Sequence, residues 1–320
     1  MRMPRAVASQ ALLLLAFAGG QAPAQEARDW LERMNAAVEE LNYRGTFVHV
    51  RGGTRETLQI VHRNTDGESG ERILSLDGAG REIVRQGDRA QGILPDQRIV
   101  LLESRRDVSP LVARLPTSSE ELEAHYEITL RGNARVADRA VQVLEIKPRD
   151  EFRYGYTLWL DEVTAMPLRS QLIDERGQVV EQILFTDIEV PADIPAAALE
   201  PTIDTTGFTT LRAPESAPSA GANISWRAVG VPGGFKLSVA TQSQMAGSDT
   251  PVEHLVYSDG LATVSVFIEA RETKVDVGEG FSNFGSTNAF SLTLRGRKVT
   301  AMGEVPPQTV RTIATSLVDE

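Results

Sequence analysis

Apolar residues recur at a helical period in residues 26–41 and at a period of two in most of the chain that follows. Trp30, Met34, Ala37, Val38 and Leu41 fall on one face of a helix. From Gly45, short alternating runs separated by turn residues predict strands at 46–51, 56–63, 71–77, 81–86, 90–94 and 98–103. These turns are too short for crossover helices, which indicates an antiparallel sheet.

A second group of strands follows a short helical interval. Ser118 precedes Glu121 by three residues, which is the spacing of a capping box at a helix start. Beyond it, the alternation predicts strands at 126–131, 140–147, 154–161, 167–174 and 179–189. About eleven strands are more than one flat sheet holds comfortably. We therefore expect an antiparallel barrel or half-barrel whose open side is covered by helices.

The composition changes after residue 204. Residues 205–222 are rich in Pro, Ser, Ala and Gly, which is typical of a linker between domains. Strands are predicted at 235–241, 252–258, 263–269 and 297–304, and a helix is predicted after Pro306-Pro307. We interpret residues 25–204 as a large domain and residues 223–320 as a smaller α+β domain, so that the chain is mainly β with a few helices.

The first 24 residues have the three parts of a secretory signal peptide. Arg2 and Arg5 precede an apolar run around Leu12–Leu15, and Ala22-Pro23-Ala24 forms a small-residue cleavage pattern. The apolar run is shorter than the ~20 residues that a membrane span needs. We expect cleavage between Ala24 and Gln25 and an exported mature protein.

Composition narrows the classes of function. The 320-residue chain has a net charge of −11, and removal of residues 1–24 takes away two arginines and no acid. An acidic chain of this kind is a poor candidate for binding nucleic acid. There are 0 cysteines, which excludes disulfides and thiolate metal sites. The 4 histidines fall in no metal-binding or catalytic motif, and no nucleotide-binding loop is present. We therefore predict no enzyme activity, no metal and no cofactor.

Two sets of apolar side chains are candidates for binding. Alternation on several strands produces an apolar face, which is either packed core or the lining of a cavity for acyl chains. The candidate lipid-binding residues on these strands are Leu58, Ile60, Leu158, Leu168, Leu172 and Leu184. The segment Gly278–Phe290 has the composition of a loop with aromatic anchors, and its candidate partner-binding residues are Phe281, Phe284 and Phe290. Packing of these rings against their own sheet is the alternative.

Four segments resemble a known family. Residues 41–48 (LNYRGTFV), 154–161 (YGYTLWLD) and 164–169 (TAMPLR) resemble the RseB/MucB family, and residues 299–306 (VTAMGEVP) resemble its second domain. The pattern Y-x-L-x-L-D followed by P-L-R also occurs in the wider LolA/LolB lipoprotein-carrier fold. The resemblance implies a LolA/LolB-like half-barrel with helices in its mouth and a smaller C-terminal domain.

The resemblance also implies a function. Family members are periplasmic negative regulators of the envelope-stress sigma factor, sigma-E or its AlgU-type relative. They bind the periplasmic region of a single-pass anti-sigma factor of the RseA/MucA type and shield it from regulated proteolysis, and lipopolysaccharide or another lipid is thought to release them. The alternatives are a LolA/LolB-type carrier of lipid or lipoprotein and an envelope-assembly scaffold. The second domain argues against a simple carrier. Homo-oligomerisation, the inducing lipid, the partner surface and the pathway are left open by the sequence.

Overall fold

The computed structural model describes residues 22–87, 89–104, 119–212, 224–244, 251–270 and 279–319. The predicted signal peptide lies outside these ranges except for residues 22–24, which begin helix α1 (Ala22–Glu40). None of the helices in the described ranges combines the length and the apolarity needed to cross a bilayer. Helix α1 confirms the periodicity seen in residues 26–41.

The large sheet has twelve strands in the described ranges, in the order β12-β6-β5-β4-β3-β2-β1-β11-β10-β9-β8-β7. Eleven pair antiparallel, and they confirm the predicted strands with small shifts at their ends. The first and last of these in the chain, β1 and β11, pair in the middle of the sheet. The strands are β1 Tyr43–Arg51, β2 Thr54–Thr65, β3 Glu68–Ser75, β4 Glu82–Gln86, β5 Arg89–Leu94, β6 Ile99–Ser104, β7 Tyr126–Val136, β8 Arg139–Pro148, β9 Gly155–Asp161, β10 Pro167–Ile173, β11 Val179–Glu189 and β12 Thr209–Arg212. Helix α2 (Ser119–His125) precedes β7 at the position of the predicted capping box.

Strand β12 lies inside the range predicted as a linker. Thr209–Arg212 pair in parallel with Ile99–Leu102 of β6. All four residues of β12 are exposed, so the segment has no apolar alternation by which the sequence could reveal a strand. The rest of the predicted linker, residues 213–223, lies outside the described residues.

A buried carboxylate fastens the chain that leads to β12. Glu82 accepts hydrogen bonds from the N–H groups of Thr202 and Ile203 and pairs with Arg72 at 3.1 Å. Burial raises the pKa of Glu82, but the N–H groups of Ile203 and Thr202 and the Arg72 guanidinium outweigh it and lower the pKa below the usual value. This carboxylate therefore stays ionised and holds residues 202–203 against β4.

The small domain is a six-stranded antiparallel sheet in the order β14-β15-β16-β19-β18-β17, with helix α3 (Pro307–Thr315) against β18 and β19. A separate pair, β13 with β20, runs beside it. The strands are β13 Trp226–Ala228, β14 Lys236–Gln244, β15 Pro251–Ser258, β16 Thr263–Ala270, β17 Gly280–Phe284, β18 Thr287–Leu294, β19 Arg297–Gly303 and β20 Leu317–Asp319. The four predicted strands and the final helix are confirmed.

The aromatic segment predicted as a loop is a β-hairpin. Strand β17 pairs with β18 across a turn at Gly285 and Ser286. The expectation of a loop was wrong because β17 is an edge strand whose residues 281–284 are all exposed. An edge strand of this kind needs few apolar residues, so Gly, Ser and Asn are tolerated in it.

The register of the large sheet separates the candidate lipid-binding residues by face. Directly paired residues point to the same side of a sheet. Leu158 pairs with Ser170 and Ser170 with Ile183, whereas Leu184 pairs with Arg169. One face of the sheet therefore carries five of the six candidates, and Leu184 lies on the other face. The five are Leu58, Ile60, Leu158, Leu168 and Leu172. All five are at most 4% exposed.

Helix α1 packs against part of this face. Leu31 and Met34 of the helix join the core cluster that contains Leu158, and Val38 packs against the cluster that contains Leu58. Apolar residues of a helix that contact a sheet in this way stabilise the domain by about 25 cal/mol per Å² of buried apolar surface. The inner face of the sheet is packed core in this structure.

We expect Leu58→Asp to lower the unfolding free energy by at least about 3 kcal/mol, because it removes a buried side chain and buries a carboxylate. Leu184→Asp makes the same chemical change on the opposite, half-buried face and should destabilise far less. Thermal and urea denaturation of the two variants measure the difference. Equal losses would contradict the assignment of Leu58 to the covered face.

Candidate functional site

A polar cluster joins the end of strand β1 to the β17–β18 turn. Arg51 donates to the Ser286 hydroxyl at 2.8 Å, to the Thr287 hydroxyl at 2.6 Å and to Glu304 Oε1 at 2.5 Å. Gly52 follows Arg51 with φ 55°, and a Cβ at this position would lie 2.4 Å from the Cα of Gly285. The two turns touch through backbone, which only glycine at these positions permits.

Two carboxylates complete this group, which we call the seam cluster (His49, Arg51, Glu181, Ser286 and Glu304). Glu181 on β11 lies opposite Arg51 on β1, 2.8 Å from the His49 ring through Oε1 and 2.9 Å from the Ser286 hydroxyl through Oε2. Burial raises the pKa of Glu181, but the His49 and Ser286 contacts and the Arg51 charge lower it below the usual value. For Glu304, burial and the nearby Glu181 charge raise the pKa.

A second cluster joins the domains around a buried arginine. The Arg153 and Asp259 side chains are both 0% exposed, with Nη1 and Oδ2 3.3 Å apart. Arg153 Nη2 donates to the Gly233 carbonyl at 2.5 Å, and its guanidinium lies 5.4 Å from the Tyr126 ring centroid and 5.2 Å from that of Phe235. The Tyr126 hydroxyl donates to Asp259 at 3.0 Å, and burial, followed by the Asp259 charge, raises the tyrosine pKa strongly. We call these residues the Arg153 cluster.

Polar contacts between the two clusters continue the interface. Asn288 donates to the Tyr154 hydroxyl at 2.9 Å, and the Thr309 hydroxyl donates to the Phe152 carbonyl at 2.7 Å. The segment 150–154 of the large domain thus contacts both β18 and α3 of the small domain. The two domains meet along a polar interface that is buried at one end and partly open at the other.

A cleft of about 410 Å³ lies at the open end of the interface. Its walls come from both domains: His49, Arg51, Gly52, Thr54, Glu56, Arg81, Phe284 and Gly285. Phe284 is 65% exposed, and Arg81 pairs with Glu56 at 2.6 Å. An exposed aromatic ring beside guanidinium groups is a surface suited to bind a peptide segment through apolar contact and hydrogen bonds. Nowhere in the described ranges do three His, Asp or Glu residues lie close enough together to hold a metal ion.

The structure separates the three candidate phenylalanines. Phe284 lines the cleft, whereas Phe281 is exposed outside the cleft, with its ring 4.8 Å from that of Phe290. Phe290 is 3% exposed and belongs to the core of the small domain. Partner binding by these residues stays a prediction, and so does lipid binding by the six candidates on the large sheet.

The residues of the two interdomain clusters were missed by sequence reasoning. Arg51 and Glu304 are separated by 253 positions, and Tyr126 and Asp259 by 133. No short-range spacing links such residues, and each resembles an ordinary polar surface position. The one usable signal was Phe284, whose exposure fits its glycine- and serine-rich surroundings.

These features define a class of protein: a two-domain β protein with a large, mainly antiparallel sheet and a smaller α+β domain docked on it. The chain belongs to the MucB/RseB family. Residues 26–203 match the family's N-terminal domain and residues 220–318 match its C-terminal domain.

Individual relatives agree with this assignment. The chain is 36% identical over 306 residues to the sigma factor AlgU regulatory protein MucB of Pseudomonas aeruginosa, covering 93% of this chain and 92% of the relative. It is 28% identical over 289 residues to the sigma-E factor regulatory protein RseB of Escherichia coli K12, with 90% and 89% covered. The structure of the P. aeruginosa MucA/MucB complex matches with a TM-score of 0.74 and 32% identity over 92% of this chain and 99% of that one. A crystal structure of MucB in complex with MucA(peri) matches with a TM-score of 0.71 and 33% identity over the same shares.

We expect Arg153→Met to lower the unfolding free energy by about 3–5 kcal/mol, because it leaves the Asp259 carboxylate buried without its cation. The double variant Arg153→Met/Asp259→Asn should recover part of this loss. Urea denaturation measures both. Arg135→Met is the matched control, since the Arg135–Asp138 pair is exposed and should contribute less than about 1 kcal/mol. A loss as small as that of the control would show that Arg153 does not join the domains.

Proposed function

We propose that this protein is a periplasmic regulator that binds the periplasmic region of a membrane-anchored anti-sigma factor. The observation that carries the proposal is its likeness to MucB over 92% of the chain, in structures where MucB is bound to MucA. The relatives are named regulatory proteins and none is named as an enzyme. Binding to the anti-sigma factor shields it from regulated proteolysis and so restrains the envelope-stress sigma factor.

The cleft is the surface that we assign to the partner. It is formed by both domains, so its shape depends on how they are docked. Phe284 supplies an exposed aromatic anchor of the kind that dominates binding energy at protein interfaces. A partner segment bound there would contact the β1–β2 turn on one side and the β17–β18 turn on the other.

Release by lipopolysaccharide or another lipid is the second part of the proposal. Four of the five candidates on the inner face belong to core clusters that α1 packs against, namely Leu58, Ile60, Leu158 and Leu168, so an acyl chain that reached them would have to displace this helix. A lipid that binds only the displaced form would weaken partner binding by the coupling free energy between the two sites, typically about 1–3 kcal/mol. This ligand dependence distinguishes a regulator from a carrier, for which lipid is the cargo.

A protease-protection assay tests this function. The protein from Gln25 onward is mixed with the purified periplasmic segment of the anti-sigma factor and its initiating protease, with and without lipopolysaccharide. We expect protection that lipid relieves. If protection persists in the presence of lipid, the hypothesis of release by lipid is wrong. If the protein neither binds nor protects the segment, the LolA/LolB-type carrier is favoured.

We expect Phe284→Ser to weaken binding of the partner's periplasmic segment at least about tenfold, because truncation of an interface anchor typically removes 2 kcal/mol or more. Isothermal titration calorimetry measures the affinity. Val163→Ser is the matched control, since Val163 is 82% exposed on the β9–β10 turn of the large domain. Unchanged affinity in the Phe284 variant would contradict the assignment of the cleft as the partner-binding surface, but it would leave the proposed regulatory function in place.

A further inference from the structure

The Ser286 hydroxyl has more contacts than it can satisfy with its single proton. It lies 2.8 Å from Arg51 Nε, which donates to it, and 2.9 Å from both Glu181 Oε2 and Glu304 Oε1. A hydroxyl has one hydrogen to donate and two lone pairs to accept with. It can donate to one carboxylate, so the other faces it oxygen to oxygen without a hydrogen between them. One more proton would complete the network.

The charges of the seam cluster agree with this count. Glu181 and Glu304 are both within reach of the single Arg51 guanidinium, with N–O distances of 3.7 and 2.5 Å. Beside the His49 ring, the cluster holds two carboxylates and one guanidinium, which leave one negative charge unbalanced in a partly buried place. A proton on one carboxyl group neutralises the cluster and supplies the missing hydrogen.

We propose that docking of the two domains takes up one proton, which Glu304 holds and donates to Ser286 while Ser286 donates to Glu181. The large domain supplies His49, Arg51 and Glu181, and the small domain supplies Ser286 and Glu304. The network therefore exists only when the domains are docked. The docked pose is a proton-linked state, and its population rises as the pH falls from neutral.

The other titratable groups around the cluster lie within the large domain. Glu56 on β2 lies directly opposite His49 and pairs with Arg81, so its ion pair is formed within the large domain. Tyr156 on β9 has a pKa raised by burial, then by Glu304 and Glu181, so it stays neutral. His49 contacts Glu181 within the large domain, so its contact does not depend on docking.

The direction of the pH dependence follows from the two carboxyl groups. The pKa of Glu304 is raised, first by burial and then by Glu181, so the docked state binds a proton that is released when the seam cluster opens. This contribution is complete below the usual glutamate pKa and is lost as the pH rises through the raised value. The pKa of Glu181 is lowered, so its own contribution is lost only in stronger acid. Docking is strongest between these two pKa values.

This pH dependence regulates the surface that we assign to the partner, and in that respect it rests on the proposed function. His49 and Arg51 belong both to the seam cluster and to the walls of the cleft. Acidification would hold the cleft in its docked form, and a rise in pH would loosen it.

Paired spin labels test the proposal without any partner. The chain has 0 cysteines, so Leu76→Cys on the large domain and Val239→Cys on the small domain, both exposed, accept labels selectively. Pulsed dipolar spectroscopy between about pH 5 and 8 measures the fraction of docked molecules in the full mature chain. We expect the docked-to-open ratio to fall with rising pH, by up to about tenfold per pH unit for one proton.

Glu304→Gln decides between this account and a simple ion pair. Its uncharged amide keeps the neutral charge of the protonated acid and can accept from Arg51 through its oxygen, so we expect this variant to stay docked and to lose the pH response. Glu269→Gln is the matched control, since Glu269 pairs with Lys298 away from the interface and should keep the wild-type profile. A flat wild-type profile, or a Glu304→Gln variant that keeps the response or is open at every pH, would overturn the proposal. Because no partner is present, failure of the proposed function would leave this result unchanged.

Discussion

The ion pair between Arg153 and Asp259 is the contact on which the arrangement of the two domains depends. Asp259 uses its other oxygen to accept the N–H groups of Leu261 and Ala262, so it also fixes the β15–β16 turn. Both charged side chains are removed from water. Separating them would leave a buried charge without its partner, which costs free energy. The seam cluster is different, because Arg51 is 40% and Glu304 38% exposed. Motion between the domains is therefore easiest at the seam cluster, with the Arg153 cluster as the fixed end.

Much of the fold could be predicted because the local signals are strong. Period-two alternation between turn residues gave the strands of the large sheet, and the apolar stripe through Trp30 and Met34 gave helix α1. Strand β12 could not be predicted, because it is exposed on every residue and is defined by its pairing with β6 alone. In the hairpin formed by β17 and β18, strand β17 was missed for the same reason, because its residues 281–284 are exposed. Elements that bury nothing leave no apolar pattern in the sequence.

The candidate site was harder to predict than the fold. Its charged residues come together only when the two domains dock. In a sequence, a charged residue that lies at a domain interface cannot be distinguished from one on a solvated surface. Leu184 shows a related limit. It is apolar like the other five candidate lipid-binding residues, but its side chain points to the opposite face of the sheet. A bulge between Thr46 and Phe47 interrupts the register of β1 with β11, and such a shift is set by tertiary structure.

Strands β1 and β11 connect the covered face to the seam cluster. Phe47 pairs with Phe185 in the core beneath α1, His49 pairs with Ile183, and Arg51 pairs with Glu181 at the interface. Arg51 follows Phe47 by four positions of extended chain, which corresponds to about 13 Å. A ligand that displaced α1 would remove Val38 from the cluster that contains Phe47 and Phe185, and these two residues lie on the same strands as Arg51 and Glu181. Because β1 and β11 hold residues of both the core and the cleft, a change in core packing would alter the positions of Arg51 and Glu181 directly.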